Sequence, residues 1–275
     1  MTLATVSTGS TPVTENMSSG PEKGWLVLHG GGTKREYGAM HRFVDLSGGA
    51  KANIIVVLTP IELEILTPEF KAQYKSWWAS ELGAENVTFL DTRDRQEANT
   101  DAFVAPLRKA TGVWIMGGRM SYLLKYYLGT KTEQEIKAVV ERGGVLAGSS
   151  AGAMIQSSFL VSRTNTDSGG VKLAKGIFLD TTQLVGFGLL KDVAVDPHFF
   201  ARREEDQMVR LIEHYPQLLG IGIDEGAAIV VHNDQLEVIN QPRVGIFDGQ
   251  NHNGKKYLIL HQGQRYDLKQ RKPIK

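Results

Sequence analysis

Short apolar runs recur along most of the chain at spacings typical of buried strands. The run at 53–58, NIIVVL, is unbroken and β-branched, which is typical of a strand covered on both faces. Further apolar runs that predict strands lie at 25–28, 87–90, 113–116 and 145–147. Helix signals separate several of these runs. Strands that alternate with helices predict a parallel sheet with helices on both faces.

Two of the intervening helices have recognisable ends. Thr67-Pro68 combines a capping residue with proline at the first helical position, and Gly83 predicts where that helix ends. Thr132 with Glu135 has the spacing of a capping box, and Gly143 predicts the end of the helix that the box would open. Both helices therefore fit between predicted strands.

The pattern changes from about residue 219 onward. There the short runs GIGID, AAIVV, LEVI, RVGIF and YLILH are separated by turns such as Asn233-Asp234, which predicts an antiparallel meander. The fold class is therefore α/β, with a mostly parallel sheet and a C-terminal antiparallel extension. No linker rich in proline, glycine or serine divides the chain, so 23–275 is predicted to be one domain. Residues 1–22 are dominated by Ser, Thr, Gly and Pro and are predicted to be a disordered tail.

Composition excludes several functional classes. The net charge of +1 argues against a protein that binds nucleic acid through bulk positive charge. The absence of cysteine excludes disulfide scaffolds, cysteine-ligated metal sites and every cysteine nucleophile. No apolar run reaches the roughly 18 residues of a membrane span, so no membrane association is expected. No secretory signal is visible, so we expect a cytoplasmic protein, or a secreted one if a signal peptide was removed.

The candidate nucleophile is Ser150. The strand at 145–147 runs directly into Gly148-Ser149-Ser150-Ala151-Gly152, which fits G-x-S-x-G, and a helix is expected at 151–158. A tight strand-to-helix turn exposes the hydroxyl and directs the N–H groups of the helix start, here that of Ala151, toward a developing oxyanion. The alternative is a glycine-rich turn with incidental serines.

His198 is the candidate base. It follows the apolar run at 193–195 and lies at a predicted strand end, where α/β sheets keep their sites. The alternative is a half-buried histidine with a structural role. The other histidines, which occur in turns or on surface faces, are His29, His41, His214, His232, His252 and His261.

Asp224-Glu225 is the candidate acid pair. It ends the run at 220–223, and adjacent strand residues point to opposite faces, so only one of the two is expected to reach the histidine. The alternative is a solvated strand end or a cap. No metal-binding spacing such as H-E-x-x-H occurs, so no metal or cofactor is expected. The glycines at 30–32 lack the dinucleotide-binding spacing and predict a tight turn lining the site.

Together these segments resemble the cyanophycinase and dipeptidase E family of serine peptidases. The similar segments, in the family's order, are LVLHGGG (26–32), VWIMGG (113–118), GSSAGAMI (148–155), VDPHFFARR (195–203) and GIGIDEGAAIVV (220–231). The resemblance implies a class I glutamine amidotransferase-like α/β fold. It also implies peptide hydrolysis, and a homodimer because family members often dimerise.

The resemblance also implies roles for individual residues. Ser150 would be the nucleophile, His198 the general base and then acid, and Glu225 the group that orients the imidazole. The oxyanion hole would combine the Ala151 N–H with backbone near Gly118.

The chain departs from the family around the substrate. Arg119 and Met120 replace a polar residue and glutamine of cyanophycinases, or asparagine and threonine of dipeptidase E, and Pro197 replaces a glutamine before the histidine. We count Arg119, Arg202 and Asp196 as candidate substrate-binding residues. The two arginines would hold a carboxylate of an acidic peptide substrate. The alternative is that both are solvated surface arginines.

Two other functions remain open from the sequence. An α/β-hydrolase esterase shares G-x-S-x-G but needs its histidine after the acid, at His232, His252 or His261. A binding protein could retain the scaffold without catalysis. The preferred function is a serine peptidase that cleaves an aspartyl-containing peptide, and the family resemblance offers a β-linked, cyanophycin-like peptide as one candidate beside α-aspartyl peptides.

Overall fold

The structure is a computed structural model that describes residues 18–32, 37–161 and 185–275. Within these ranges the strands are β1 Trp25–His29, β2 Ile54–Val57, β3 Val87–Leu90, β4 Gly112–Ile115, β5 Val145–Ser149, β6 Ser157–Leu160, β7 Leu190–Pro197, β8 Leu219–Ile223, β9 Ala228–His232, β10 Gln235–Asn240, β11 Val244–Phe247, β12 Leu258–Leu260, β13 Arg265–Asp267 and β14 Lys272–Ile274. The α-helices are α1 Tyr37–Leu46, α2 Pro68–Leu82, α3 Asp101–Val104, α4 Met120–Tyr126, α5 Lys131–Glu141, α6 Ala151–Met154 and α7 Glu205–His214.

The described strands form two sheets. The larger has the order β14-β13-β10-β9-β1-β5-β4-β2-β3, and its neighbours from β1 to β3 are parallel. The smaller has the order β12-β11-β8-β7-β6, with β6, β7 and β8 parallel. The predicted α/β class with a mostly parallel sheet and antiparallel C-terminal strands is confirmed. The expected meander, however, is divided, because β9 joins the larger sheet while β8 and β11 belong to the smaller one.

Both faces of the larger sheet are covered, as the unbroken β-branched run predicts. Ile54 and Val56 of β2 pack in one buried cluster with Trp78 of α2, whereas Ile55 and Val57 pack in another. Successive side chains of a strand point to opposite faces, so an entirely apolar strand needs cover on both. The second cluster also contains residues of β7 and β8, so the two sheets share a core.

Helix α2 has the ends that its sequence predicts. The Thr67 side chain accepts a hydrogen bond from the Phe70 N–H, Pro68 is the first helical residue, and Gly83 ends the helix at φ 66°. The left-handed conformation at the last position is costly for a residue with Cβ, which explains the glycine.

Two other helix predictions were wrong in detail. Helix α5 is preceded by Thr130 rather than capped by Thr132, whose hydroxyl donates to the Ala98 carbonyl. The helix expected at 151–158 is only α6, because β6 begins at Ser157. The pairing of β6 with β7 in the smaller sheet outweighs continuation of this helix.

The first described residues pack against the C-terminal strands. The Ser19 N–H donates to the Asp234 carboxylate at 2.6 Å, and the Pro21 carbonyl accepts from the Asn233 N–H at 2.9 Å. Ordered contacts therefore begin before the predicted domain start at residue 23, and 1–17, most of the predicted tail, lie outside the described residues. No helix among the described residues is long and apolar enough to cross a membrane.

Candidate active site

Ser150 occupies a strained turn between β5 and α6. Its backbone has φ 53° and ψ −113°, which a residue with Cβ rarely adopts, and its N–H donates to the His29 carbonyl at 3.0 Å. A Cβ at Gly148 would overlap the backbone of Gly152, and one at Gly152 would overlap the Ile115 carbonyl. The glycines on both sides are therefore required for the chain to turn so tightly.

His198 lies directly after β7 with its ring on the serine. Its Nε2 is 2.9 Å from Ser150 Oγ, and its backbone N–H donates to the Gly30 carbonyl at 2.8 Å. The backbone is again left-handed, with φ 59°. Strain at functional residues persists only where the surroundings hold it, and here both partners of the Ser150–His198 hydrogen bond are strained.

Glu225 follows β8 and holds the other side of the ring. Its Oε1 is 2.7 Å from His198 Nδ1, whereas the neighbouring Asp224 carboxylate accepts from the Ala201 N–H instead. Of the acid pair, Glu225 therefore reaches the imidazole. The Glu225 side chain is 49% exposed and the His198 side chain 15% exposed, so the acid lies at the surface and the imidazole is more buried.

The three side chains form one hydrogen-bonded chain. A carboxylate on Nδ1 fixes the tautomer in which that nitrogen carries the proton, leaving the Nε2 lone pair to accept from the Ser150 hydroxyl. An alcohol in this arrangement can lose its proton to the ring as it attacks an acyl carbon. The structure therefore brings together the predicted nucleophile, base and acid.

The glycine turn after β1, residues 30–32, packs against His198 and Glu225. A Cβ at Gly31, where φ is 89°, would overlap the His198 ring, and one at Gly32 would press on Glu225. The Gly31 carbonyl also accepts from the Gly226 N–H at 2.8 Å. These glycines thus line the site, and any side chain at Gly31 would displace the ring.

His29, predicted to lie in a turn or on the surface, is instead a buried residue beside the site. It is completely buried at the end of β1, and its Nδ1 accepts from the Gly31 N–H at 3.2 Å and lies 3.1 Å from Ser149 Oγ. Burial, and secondarily the nearby His198, lower the pKa of His29 to about 4. Its position at the end of an apolar strand was the signal that could have found it.

Ala151 and Gly118 are the predicted oxyanion-hole residues. Ala151 is the first residue of α6, where N–H groups have no partner within the helix. Gly118 is exposed with φ 137°, and a Cβ there would overlap the Pro60 carbonyl. A Cβ at Gly117 would lie 3.2 Å from Ser150 Cβ, so Gly117, the residue before Gly118, lies beside the serine.

The three candidate substrate-binding residues have different surroundings. Arg119 is ion-paired with Glu62 and lies over the Tyr122 ring. Arg202 is exposed in the 3-10 turn after His198. Asp196 is only 1% exposed within β7, and its role in substrate binding stays a prediction.

The histidines that an esterase would need are bonded elsewhere. His232 stacks on Trp25 and has Nδ1 2.8 Å from the Gly24 carbonyl oxygen, while His252 pairs with Asp248. His261 has Nδ1 3.2 Å from the Pro242 carbonyl oxygen, just before β11. In the described part of the chain, no group of three or more His, Asp or Glu residues could hold a metal ion.

Comparison with known proteins assigns the family. The sequence profile of peptidase family S51 matches residues 26–239. A cyanophycinase of Geminocystis herdmanii is 28% identical over 270 residues, covering 90% of this chain and 95% of the relative. A Nostoc cyanophycinase is 27% identical over 268 residues, covering 90% and 86%.

Solved structures agree with this assignment. The crystal structure of a peptidase from an acI-B1 actinobacterium superposes with a TM-score of 0.67 at 25% identity, covering 90% of this chain and 98% of that one. A putative peptidase E of Listeria monocytogenes shares the fold, with a TM-score of 0.54 at 18% identity, covering 80% and 100%. The chain therefore belongs to peptidase family S51, and it is a serine-type peptidase that acts on a peptide substrate.

Proposed function

We propose that this peptidase hydrolyses an aspartyl-containing peptide, β-linked as in cyanophycin, through an acyl-enzyme on Ser150. The observation that carries the proposal is the unbroken hydrogen-bonded chain from Ser150 through His198 to Glu225. Support for the substrate comes from the cyanophycinase relatives, which match almost the whole chain.

In the first step, His198 Nε2 takes the Ser150 hydroxyl proton as Oγ bonds to the acyl carbon. The resulting oxyanion accepts hydrogen bonds from the Ala151 N–H and from backbone at Gly118. His198 then returns the proton to the leaving amine, and the C–N bond breaks. Water attacks the acyl-enzyme with His198 again as base, which releases the carboxylic acid and restores the serine.

Glu225 acts through the imidazole. It keeps the proton on Nδ1 and stabilises the imidazolium that forms while the serine is attacking. Because the Glu225 carboxylate is half exposed, solvent screens part of its attraction for the imidazolium.

Among the arginines, Arg202 is the one we propose to bind a substrate carboxylate. It is exposed and only four residues from His198 in the chain, and a guanidinium matches a carboxylate with two parallel hydrogen bonds. For Arg119 the same role requires exchange of its ion pair with Glu62 for one with the substrate.

The nucleophile is tested with Ser150→Ala and a fluorophosphonate probe. The parent protein should become covalently labelled and should hydrolyse β-aspartyl dipeptides. Ser150→Ala should lose labelling and most of kcat, by a factor of about 10³ or more. Ser158→Ala, in β6, is the matched control and should behave like the parent. Hydrolysis that survives in Ser150→Ala would refute the mechanism.

The substrate is tested with paired dipeptides. We expect β-aspartyl dipeptides to be cleaved faster than their α-aspartyl isomers, and simple esters and neutral dipeptides to be poorer still.

Arg202→Ala should raise KM for the acidic substrates by about tenfold, with Arg210→Ala on α7 as the control. Equal KM values in both arginine variants would remove Arg202 from the binding site.

The homodimer implied by the family resemblance stays a proposal. Sedimentation equilibrium of the full chain should give twice the monomer mass of 30.3 kDa. A single monomeric species at micromolar concentration would contradict it.

A further inference from the structure

Asp224, the residue before Glu225, does not reach the imidazole, but both of its carboxylate oxygens have partners. Its Oδ1 accepts from two backbone N–H groups, that of Ala201 at 3.2 Å and that of Glu225 at 3.0 Å. Its Oδ2 lies 3.3 Å from Arg243 Nε. The Asp224 side chain is only 11% exposed. A buried carboxylate with this many donors is held in one orientation.

The two N–H groups belong to the two loops that carry the proposed base and acid. Ala201 lies in the 3-10 turn that follows His198, and its neighbour Arg202 donates back to the His198 carbonyl at 3.1 Å. Glu225 is the residue whose carboxylate meets the imidazole. One oxygen atom of Asp224 therefore joins the loop that follows His198 to the loop that carries Glu225.

Arg243, which pairs with Asp224 Oδ2, lies on the outer side of this carboxylate. The Arg243 guanidinium lies 4.2 Å from the centre of the Phe200 ring, and its side chain is 46% exposed. Arg243 therefore pairs with the Asp224 oxygen that does not accept the Ala201 and Glu225 N–H groups. The contributions of the two Asp224 oxygens can therefore be separated by mutation.

We propose that Asp224 is a positioning residue that sets the separation of His198 and Glu225 by bonding the backbone of both loops through one carboxylate oxygen. This proposal rests on the catalytic roles proposed above. The expected consequence is kinetic. Without the Asp224 carboxylate, substrate would still bind, but His198 would accept the Ser150 proton more slowly, so kcat would fall. Misplacement of reacting groups by about 1 Å costs up to about 100-fold in rate.

The test compares Asp224→Ala, Asp224→Asn and Arg243→Ala in the full chain. Asp224→Ala removes both oxygens, so the rate of fluorophosphonate labelling and kcat should fall by about 10- to 100-fold with KM within about twofold. Asp224→Asn retains an acceptor oxygen for the two N–H groups and should recover most of the labelling rate. Arg243→Ala breaks the ion pair alone and should label like the parent.

Thermal unfolding midpoints separate positioning from stability. Asp224→Ala and Arg243→Ala both lose the ion pair. If Asp224 only stabilised the fold, the labelling rate of each variant would fall in proportion to the decrease in its thermal unfolding midpoint. Labelling by Asp224→Ala at the parent rate, or failure of Asp224→Asn to recover it, would overturn the proposal. Ser150→Ala run in parallel distinguishes this result from failure of the proposed function, because that failure would leave hydrolysis intact without Ser150.

Discussion

At the scale of single residues, the site depends on positions where a side chain is forbidden or buried. Gly31 packs against the His198 ring, and its N–H donates to Nδ1 of the buried His29. Ser150 and His198 are both held at positive φ. The positions of the reactive groups therefore depend on neighbours outside the Ser150–His198–Glu225 chain.

Gly31→Ala tests the space beneath the imidazole. The new methyl group would overlap the His198 ring, so we expect the fluorophosphonate labelling rate to fall by about 100-fold while the protein remains folded. Gly254→Ala is the matched control, because φ there is 88° against 89° at Gly31 and nothing lies within 4 Å of a new Cβ. Equal labelling by both variants would show that the ring does not need this space.

His29 predicts a pH dependence of stability. Its pKa falls from 6.5 to about 4 on folding, so the folded state favours the neutral ring. The corresponding stability is complete above pH 6.5 and is lost as pH falls toward 4, by roughly 3 kcal/mol in total. In His29→Asn this part of the loss should be absent.

Urea unfolding at pH 7 and pH 4.5 measures the difference. The parent and the control His41→Asn, which changes an exposed histidine on α1, should lose more stability between the two pH values than His29→Asn. The same loss in all three proteins would contradict the assignment of a buried neutral His29.

At the scale of elements, the helix and strand ends decide where functional residues emerge. β5, β7 and β8 end at or just before Ser150, His198 and Glu225, respectively. Carboxyl ends of parallel strands are the usual place for sites in α/β sheets. Here they come from two sheets, because β5 belongs to the larger and the other two to the smaller.

Helix α2 is expected to depend on its N-terminal cap. Thr67→Ala removes the hydroxyl that accepts from the Phe70 N–H and should lower the free energy of unfolding by about 1 kcal/mol. Ser76→Ala, at an exposed position inside the same helix, should be neutral or slightly stabilising because alanine is the better helix former. Urea titrations of both variants check this, and a larger loss in Ser76→Ala would contradict it.

At the scale of the whole molecule, the two sheets share one buried cluster. Leu26 and Leu146 of the larger sheet pack in it together with Val193 and Ile221 of the smaller one. The site needs both sheets in place, since the serine comes from one and its partners from the other. A shared core predicts that the two sheets unfold together.

Coincident unfolding curves would establish this coupling. All four tryptophans lie in β1, α2 or β4, so their fluorescence reports the half of the molecule built on the larger sheet. Fluorophosphonate labelling requires both halves. We expect fluorescence, circular dichroism and labelling to change at one urea midpoint. Loss of labelling well before the fluorescence change would show that the smaller sheet unfolds separately, and would contradict a single domain over 23–275.

Much of this protein was predictable because its signals are local. The strand at β2 and both ends of α2 depend on side chains within one or two turns of the chain, and they were predicted nearly to the residue. Ser150 was predictable because a tight turn requires small residues on both sides of it. Errors occurred where a distant contact outweighed the local signal, as when Thr132 bonded Ala98 instead of capping α5.

By itself, the sequence determined the α/β class, the family and the kinds of chemical group available. Only the tertiary structure decided which groups meet. His29 becomes buried only when β1 lies between β5 and β9, and Glu225 rather than Asp224 reaches the imidazole only when both loops are in place. The reason is physical: propensities and turns act over a few residues, whereas burial and hydrogen bonding between distant segments exist only after the chain has folded.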